Sequence, residues 1–420
     1  MTITFACEYD AMHEAEKLAQ SFHQAHPGIN VRVISTEVLG IDLGDPWPKD
    51  SITRLASAAD VVDQWFRPTD TQSGLIMDLQ PFIEADRSFQ PEDFYPGTLE
   101  SFRWDGGTWA LPTGVEARLI FYNKDLFDQA GVPYPQAGWT LNDFLDKADR
   151  LTVRHDDEET QWGFADVSPN VLTFVLLQGA KLVDDTTRPL TPSLDTPEVA
   201  QALRWYTDLI LVHGVAPTYP RTVDDRAYLE EMRHLRDEGK VAMWTDLSIN
   251  REYRSETINL GIVPFPAGKV KLNPVMTAGY WMSAGTPHPQ ECWEWLKFLS
   301  GQFSPVEGLP PRRSLAESAA FRAQVGEETA RVYLTSLESS DTLAAPLYNQ
   351  LSWLHRTLYW FYRACDAVMD GADAAQALGE AQHKAETYVR CLEVGGGFDD
   401  AQAAEACARE VDPDFQEQGP

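Results

Sequence analysis

The stretch Leu111–Gly131, LPTGVEARLIFYNKDLFDQAG, limits the fold more than any other part of the chain. Its centre, Ala117–Tyr122, is an apolar, aromatic-rich run that reads as a strand. Pro112 and Gly114 precede that run and supply a defined bend, which a chain needs where it passes from one folded body to another. Asn123 then starts a short helix that ends at Gly131, and Pro133 and Pro135 prevent its continuation. Just past the bend lies Glu116. Its carboxylate either faces a gap between two bodies or is a solvated charge on an edge strand.

A chain of 420 residues exceeds the size at which one core stops growing, so two domains are expected. Ile3–Ala6 reads as a strand, and Ala11–His26 carries Ala15, Leu18, Ala19 and Phe22 at helical spacing before Pro27-Gly28. Ile29–Ile34 alternates like a second strand, and strand, helix, strand in this order makes a right-handed βαβ unit. The fold class is therefore α/β with a mostly parallel sheet. In such sheets ligands sit beyond the carboxyl ends of the strands, which singles out Glu8 and Tyr9 after the first and Glu37 after the second. Ala59–Val62 is a short buried strand, followed by Asp63, Gln64, Trp65, Phe66 and Arg67. An indole flanked by such groups offers a flat apolar face for the C–H surface of a sugar ring and planar partners for its hydroxyls. The alternative is that Trp65 plugs the end of the sheet. Trp47, in the loop Gly40–Pro48, is a further aromatic candidate for the same place.

Beyond the pivot, Thr140 caps a helix to Leu151, and Thr196 caps another that opens with Pro197 and runs to His213. Gln161–Ala165 resembles a strand, in which Trp162 is either core or a second aromatic face. Val241–Met243 is a short strand ending at Trp244, Thr245 and Asp246, again a polar and aromatic group at a carboxyl end. Met276–Ser283 contains Gly279, which permits close approach of another group to the backbone, followed by Tyr280 and Trp281. Alternation implies that only one of these two rings faces a ligand. Arg312 and Arg313, in Gly308–Ser314, are either ligand donors or ion-pair partners at a crossing between bodies. Trp353 is a weaker candidate within an aromatic-rich helix, and residues 395–420 read as an acidic, partly ordered appendage.

Composition narrows the function classes. With 34 basic against 64 acidic residues the net charge is −30, so a polyanion would meet a repulsive field and a nucleic-acid role is disfavoured. No apolar run approaches the roughly 20 residues needed to cross a bilayer. The five cysteines lack metal-ligand spacing. Cys391 and Cys407 either close a disulfide in an oxidising compartment or remain thiols. Glu116 and Asp63 invite comparison with a glycosidase carboxylate pair, but no nucleophile, metalloprotease or nucleotide motif supports catalysis. The chain reads as a non-enzyme with no cofactor.

The run Glu116-Ala117-Arg118 leading into Tyr122-Asn123-Lys124-Asp125-Leu126-Phe127, then Ala130-Gly131-Val132-Pro133 and Gly138-Trp139-Thr140, resembles the extracellular solute-binding proteins of family 1. These are the carbohydrate receptors of ABC importers. The resemblance implies a two-lobe periplasmic-binding-protein fold of type II-like topology, with discontinuous lobes joined by three hinge crossovers. Residues 1–111 with 264–302 would form one lobe, 112–263 with 303–394 the other, and 395–420 a tail. It places a stacking aromatic after Gly239–Met243, hence Trp244, and an arginine beside the ligand from the Pro-containing link at Arg312 and Arg313. It implies a carbohydrate ligand, capture by hinge closure, ABC permease subunits as partners and action as a monomer. The non-sugar alternative is a peptide or polyol phosphate receptor. The expected location is extracytoplasmic, with the export signal absent from this chain, since Met1 runs at once into a strand.

Overall fold

A computed structural model describes residues 1–41, 50–155, 158–166, 171–186, 190–217, 226–248, 258–303, 308–338, 351–395, 398 and 401–415. In chain order the strands are β1 (Thr2–Cys7), β2 (Asn30–Ser35), β3 (Val61–Val62), β4 (Leu111–Asn123) and β5 (Val153–His155). There follow β6 (Glu158–Ala165), β7 (Val241–Leu247), β8 (Leu260–Val263) and β9 (Val275–Met282). The chain divides into two units, Met1–Ala117 with Val275–Gln350 and Arg118–Pro274 with Leu351–Pro420.

In the first unit β1 is flanked by β2 and β3, both parallel to it. β9 then pairs antiparallel with β3 and with the first half of β4. Ile3, Phe5 and Cys7 point to one face of the sheet, where the helices Met12–Ala25 and Pro289–Ser300 contribute Ala15, Ala19, Phe22, Cys292, Trp293, Trp295 and Leu296. Ala6 points to the other face, with Ile52 and Leu55 of the helix Ser51–Ala58. A strand covered on both faces must be apolar at successive positions, as Phe5, Ala6 and Cys7 of β1 are. Asp86 ties the layer beneath together. Its Oδ2 accepts from Lys297 Nζ at 2.6 Å and from Trp293 Nε1 at 3.0 Å. Burial alone would raise its pKa, but the lysine, Ser88 and the indole outweigh that and hold the carboxyl well below its ordinary range.

In the second unit the rest of β4 pairs antiparallel with β7 and β8, β7 runs parallel to β6, and β5 closes the order beside β6. The helix Leu141–Leu151 starts at Thr140, as expected, and the structure completes a capping box there, with Asp143 returning the bond. Its Phe144 meets Phe164 at 4.9 Å and Phe174 at 5.6 Å between ring centres. The helices Ser352–Met369 and Ala374–Gly395 pack on each other and on Pro197–Leu211.

Every boundary departs from the sequence expectation: the first crossing falls after Ala117 rather than residue 111, the second after Pro274 rather than residue 263, and two further shifts are larger. Leu309 exchanges backbone bonds with Val115 at 2.7 and 2.9 Å, so Gly308–Ser314 lies inside the first unit and the helices as far as Glu338 stay with it. The expected appendage is instead part of the second unit. Ala401–Val411 is a helix, Cys407 is joined to Cys391, and Phe415 is buried.

Candidate functional site

Parallel strands end at one edge, and in the first unit three of them end side by side. Glu8 follows β1, Asp63 to Arg67 follow β3, and Glu37 follows β2. Tyr9 is 63% exposed and Trp65 51%, which leaves two aromatic faces on solvent at adjacent strand ends. Trp65 therefore does not plug the sheet; Phe66, packed against Phe102 and Trp104, does. Glu8 is half-buried, and its Oε1 accepts from Gln64 Nε2 at 3.1 Å. Burial pushes the Glu8 carboxyl above its ordinary range, the Gln64 bond opposes that shift, and nearby Asp10 adds to it. Arg67 is exposed, its Nε 3.4 Å from Asp70 Oδ2, and Glu37 is exposed in the turn after β2. Asp63 is half-buried and donates its N–H to Ala6 O at 2.8 Å. Glu116 is half-buried on β4.

The arrangement offers charged and amide acceptors and donors beside aromatic faces. That chemistry suits a hydroxylated, partly apolar solute, in which C–H surfaces lie on rings and hydroxyls bond to planar groups.

Other sequence candidates occupy the interior. Tyr280 and Trp281 do alternate, but each enters a core: Tyr280 lies 5.3 Å from the Phe5 ring, and Trp281, 0% exposed, sits with Ala6, Val62 and Phe66. A side chain at Gly279 would come within 2.6 Å of the Phe102 ring, so the close approach inferred from this glycine belongs to a half-buried phenylalanine packed against the core. Arg312 lies 4.2 Å over the Phe94 ring, donates twice to Ser300 and stands 3.6 Å from Asp93, which is the ion-pair alternative. Arg313 lies over the Tyr95 ring at 4.5 Å, and its Nη1 is 3.9 Å from Glu338. A shallow pocket of about 280 Å³ beside Arg312 and Lys297 has both cations engaged by acids.

In the second unit Trp244 is 1% exposed and stacks on Phe121, so it presents no ring face to a solute. Asp246 is buried with Arg236 Nη1 at 3.5 Å, Trp162 is half-buried on β6, and Trp353 is buried in the helix Ser352–Met369. Trp47 lies outside the described residues.

Sequence reading passed over Asp166, at the carboxyl end of β6. It is buried and accepts from Tyr206 Oη at 2.6 Å and Thr245 Oγ1 at 2.5 Å. The strand-end rule that selected Glu8 would have selected it. It borders a cavity of about 10 Å³, room for one water at most.

Residues 10–302 match the family described as bacterial extracellular solute-binding protein. Over 223 residues the chain is 29% identical to binding proteins of Brucella abortus and Brucella suis, a match covering 49% of this chain, and it spans about half (51%) of their length. It is 26% identical over 343 residues to the erythritol/L-threitol-binding protein of Mycolicibacterium smegmatis, covering 73% of this chain and 69% of that one. Among solved structures, the sugar-binding protein MalE of Xanthomonas citri superposes with a TM-score of 0.72 at 18% identity, covering 92% of this chain and 96% of that one. That likeness shows the two-lobe α/β fold.

Proposed function

Because this chain belongs to the bacterial extracellular solute-binding protein family, we propose that it is the receptor subunit of an ABC importer, handing a carbohydrate to membrane permease subunits. The observation that carries the reading is the edge of the first unit, where Tyr9 and Trp65 are exposed beside the bonded pair Glu8 and Gln64. A small open-chain polyol is the second reading, favoured by the relative named for erythritol and L-threitol. Both are neutral, hydroxylated solutes. The family is one of binding proteins, and we read this chain likewise as a receptor that returns its solute unchanged. An extracytoplasmic location accords with the family and with the Cys391–Cys407 disulfide, which persists in oxidising compartments. Among the described residues no helix is long and apolar enough to cross a membrane. Solute-driven closure belongs to the same proposal, and it requires that the solute favour the closed state by differential contacts.

Calorimetric titration of the full chain with erythritol, mannitol, glucose, maltose and maltotriose tests this. One class is expected to give a saturable, one-to-one signal, and Trp65→Ala to weaken it about two- to tenfold, the worth of one stacked ring. Binding of peptides alone would overturn the proposal, and so would cleavage of a glycoside.

A further inference from the structure

The first unit contains a relay of hydrogen bonds from its core to its edge. Trp281, wholly buried, donates Nε1–H to the backbone oxygen of Gln64 at 2.9 Å. That bond pins the Gln64 backbone, and burial of its side chain, 7% exposed, confines the amide. Gln64 Nε2 in turn donates to Glu8 Oε1 at 3.1 Å. A carboxylate only accepts, so the amide must present its NH₂ here, which fixes its orientation. Among the described residues no other hydrogen bond reaches the Glu8 carboxylate, and Oε2 keeps its accepting capacity.

We propose that Gln64 is a positioning residue: it fixes Glu8 Oε1 and leaves Oε2 to accept a hydrogen from the solute, so that the site takes neutral hydroxylated solutes and rejects anionic ones. This rests on the receptor reading given above. The chemistry on either side of Glu8 supports it. Asp10 adds like charge, and Arg67, the cation in the segment that follows β3, is paired with Asp70. A carboxylate or phosphate on the solute would face Glu8 without compensation, whereas a hydroxyl completes its bonding. The relay also gives Trp281 a part in the site that does not require it to touch solute.

The test uses the full chain and two measurements. Without solute, carbon-13 NMR follows the Glu8 carboxyl through a pH titration. Gln64→Met, nearly isosteric, removes a bond that favours the charged form, so the Glu8 midpoint should rise further above the ordinary carboxylate range. With solute, calorimetry compares mannitol with mannitol 1-phosphate and glucose with glucuronate. The wild type should prefer the neutral member of a pair, Gln64→Met should weaken neutral binding tenfold or more, and Glu8→Gln should cut the neutral-over-anionic preference at least tenfold. A merely structural role for the pair would leave that preference unmoved. An unshifted Glu8 midpoint in Gln64→Met overturns the relay, and equal binding of neutral and anionic members by the wild type overturns the selectivity. If Gln64→Met does not fold, the Glu8→Gln preference decides. If the wild type binds no member of either pair, the receptor reading fails, and the carboxyl titration still decides the link between Gln64 and Glu8.

Discussion

Gly163→Ala is expected to destabilise the second unit by at least about 3 kcal/mol, at or beyond the upper end of ordinary overpacking. A side chain at Gly163 would lie 1.9 Å from Ala148 O and 2.6 Å from Ala148 C. These are backbone atoms of the helix Leu141–Leu151, so no rotamer change can make room. The helix cannot retreat cheaply either. Ala148 O is held by Thr152 Oγ1 at 2.8 Å, Gly163 N–H donates to that same hydroxyl at 3.1 Å, and Phe144, Ala148 and Leu151 are buried beneath. In scanning calorimetry the transition of this unit should fall by roughly 6–12 °C, at about 2–4 °C per kcal/mol. Gly379→Ala supplies the control within the same unit. Nothing lies within 4 Å of the added carbon, and the position is inside the helix Ala374–Gly395, so a gain of about 0.5–1 kcal/mol is expected. Equal effects from the two alanines would show that helix-on-strand contact at Gly163 is looser than its geometry states.

That glycine marks where sequence reading stops. Local rules found what local chemistry dictates. Thr140 and Thr196 cap the helices they were read to cap, Asn123 accepts from Asp125 N–H, and Gly131 ends its helix at φ +63°. The βαβ start and its parallel pairing follow from periodicity, because a period of 3.6 and a period of 2 are written in consecutive residues. Gly163 has no such signal. Its constraint comes from a helix that only the tertiary fold brings against it.

The candidate site divides in the same way. The rule that ligands gather beyond parallel strand ends selected Glu8, Tyr9 and Trp65 as candidates, and Tyr9 and Trp65 are exposed there. It also selected Trp244, because Val241–Met243 reads as a strand that ends there, whereas β7 continues to Leu247 and holds Trp244 at its middle, stacked on Phe121. Both are tryptophans two residues from an aspartate after a short apolar run, and what separates them is how far the strand continues and which neighbours cover the ring. Arg312 fails for a related reason. A guanidinium suits sugar hydroxyls, a carboxylate and aromatic faces equally well, and here Asp93, Ser300 and Phe94 are nearer.

Reducing the Cys391–Cys407 bond should cost the second unit about 3 kcal/mol, since the link spans 16 residues and its removal restores loop freedom to the unfolded chain. The unit's transition should drop by roughly 6–12 °C while that of the first unit holds, its described cysteines, Cys7 and Cys292, being buried and outside any disulfide. The loss should be local before it is global, because the helix Ala401–Val411 keeps a second anchor. Asp412 Oδ2 accepts from Trp360 Nε1 at 3.0 Å and from Lys384 Nζ at 2.7 Å, and Phe415 packs on Tyr359 at 4.9 Å. Burial would raise the Asp412 pKa, but Lys384 and Trp360 lower it below the ordinary value. A carboxyl depressed in the folded state stabilises above its unfolded pKa, about 3.9, and that contribution disappears as pH falls through the folded value. The reduced protein should therefore lose amide-exchange protection in residues 401–415, measured against the intrinsic rate at each pH, as the solution is acidified below about pH 4, more steeply than the oxidised protein. Identical exchange in the two redox states would mean that Asp412 and Phe415 alone hold the segment, and that the disulfide contributes nothing to its docking.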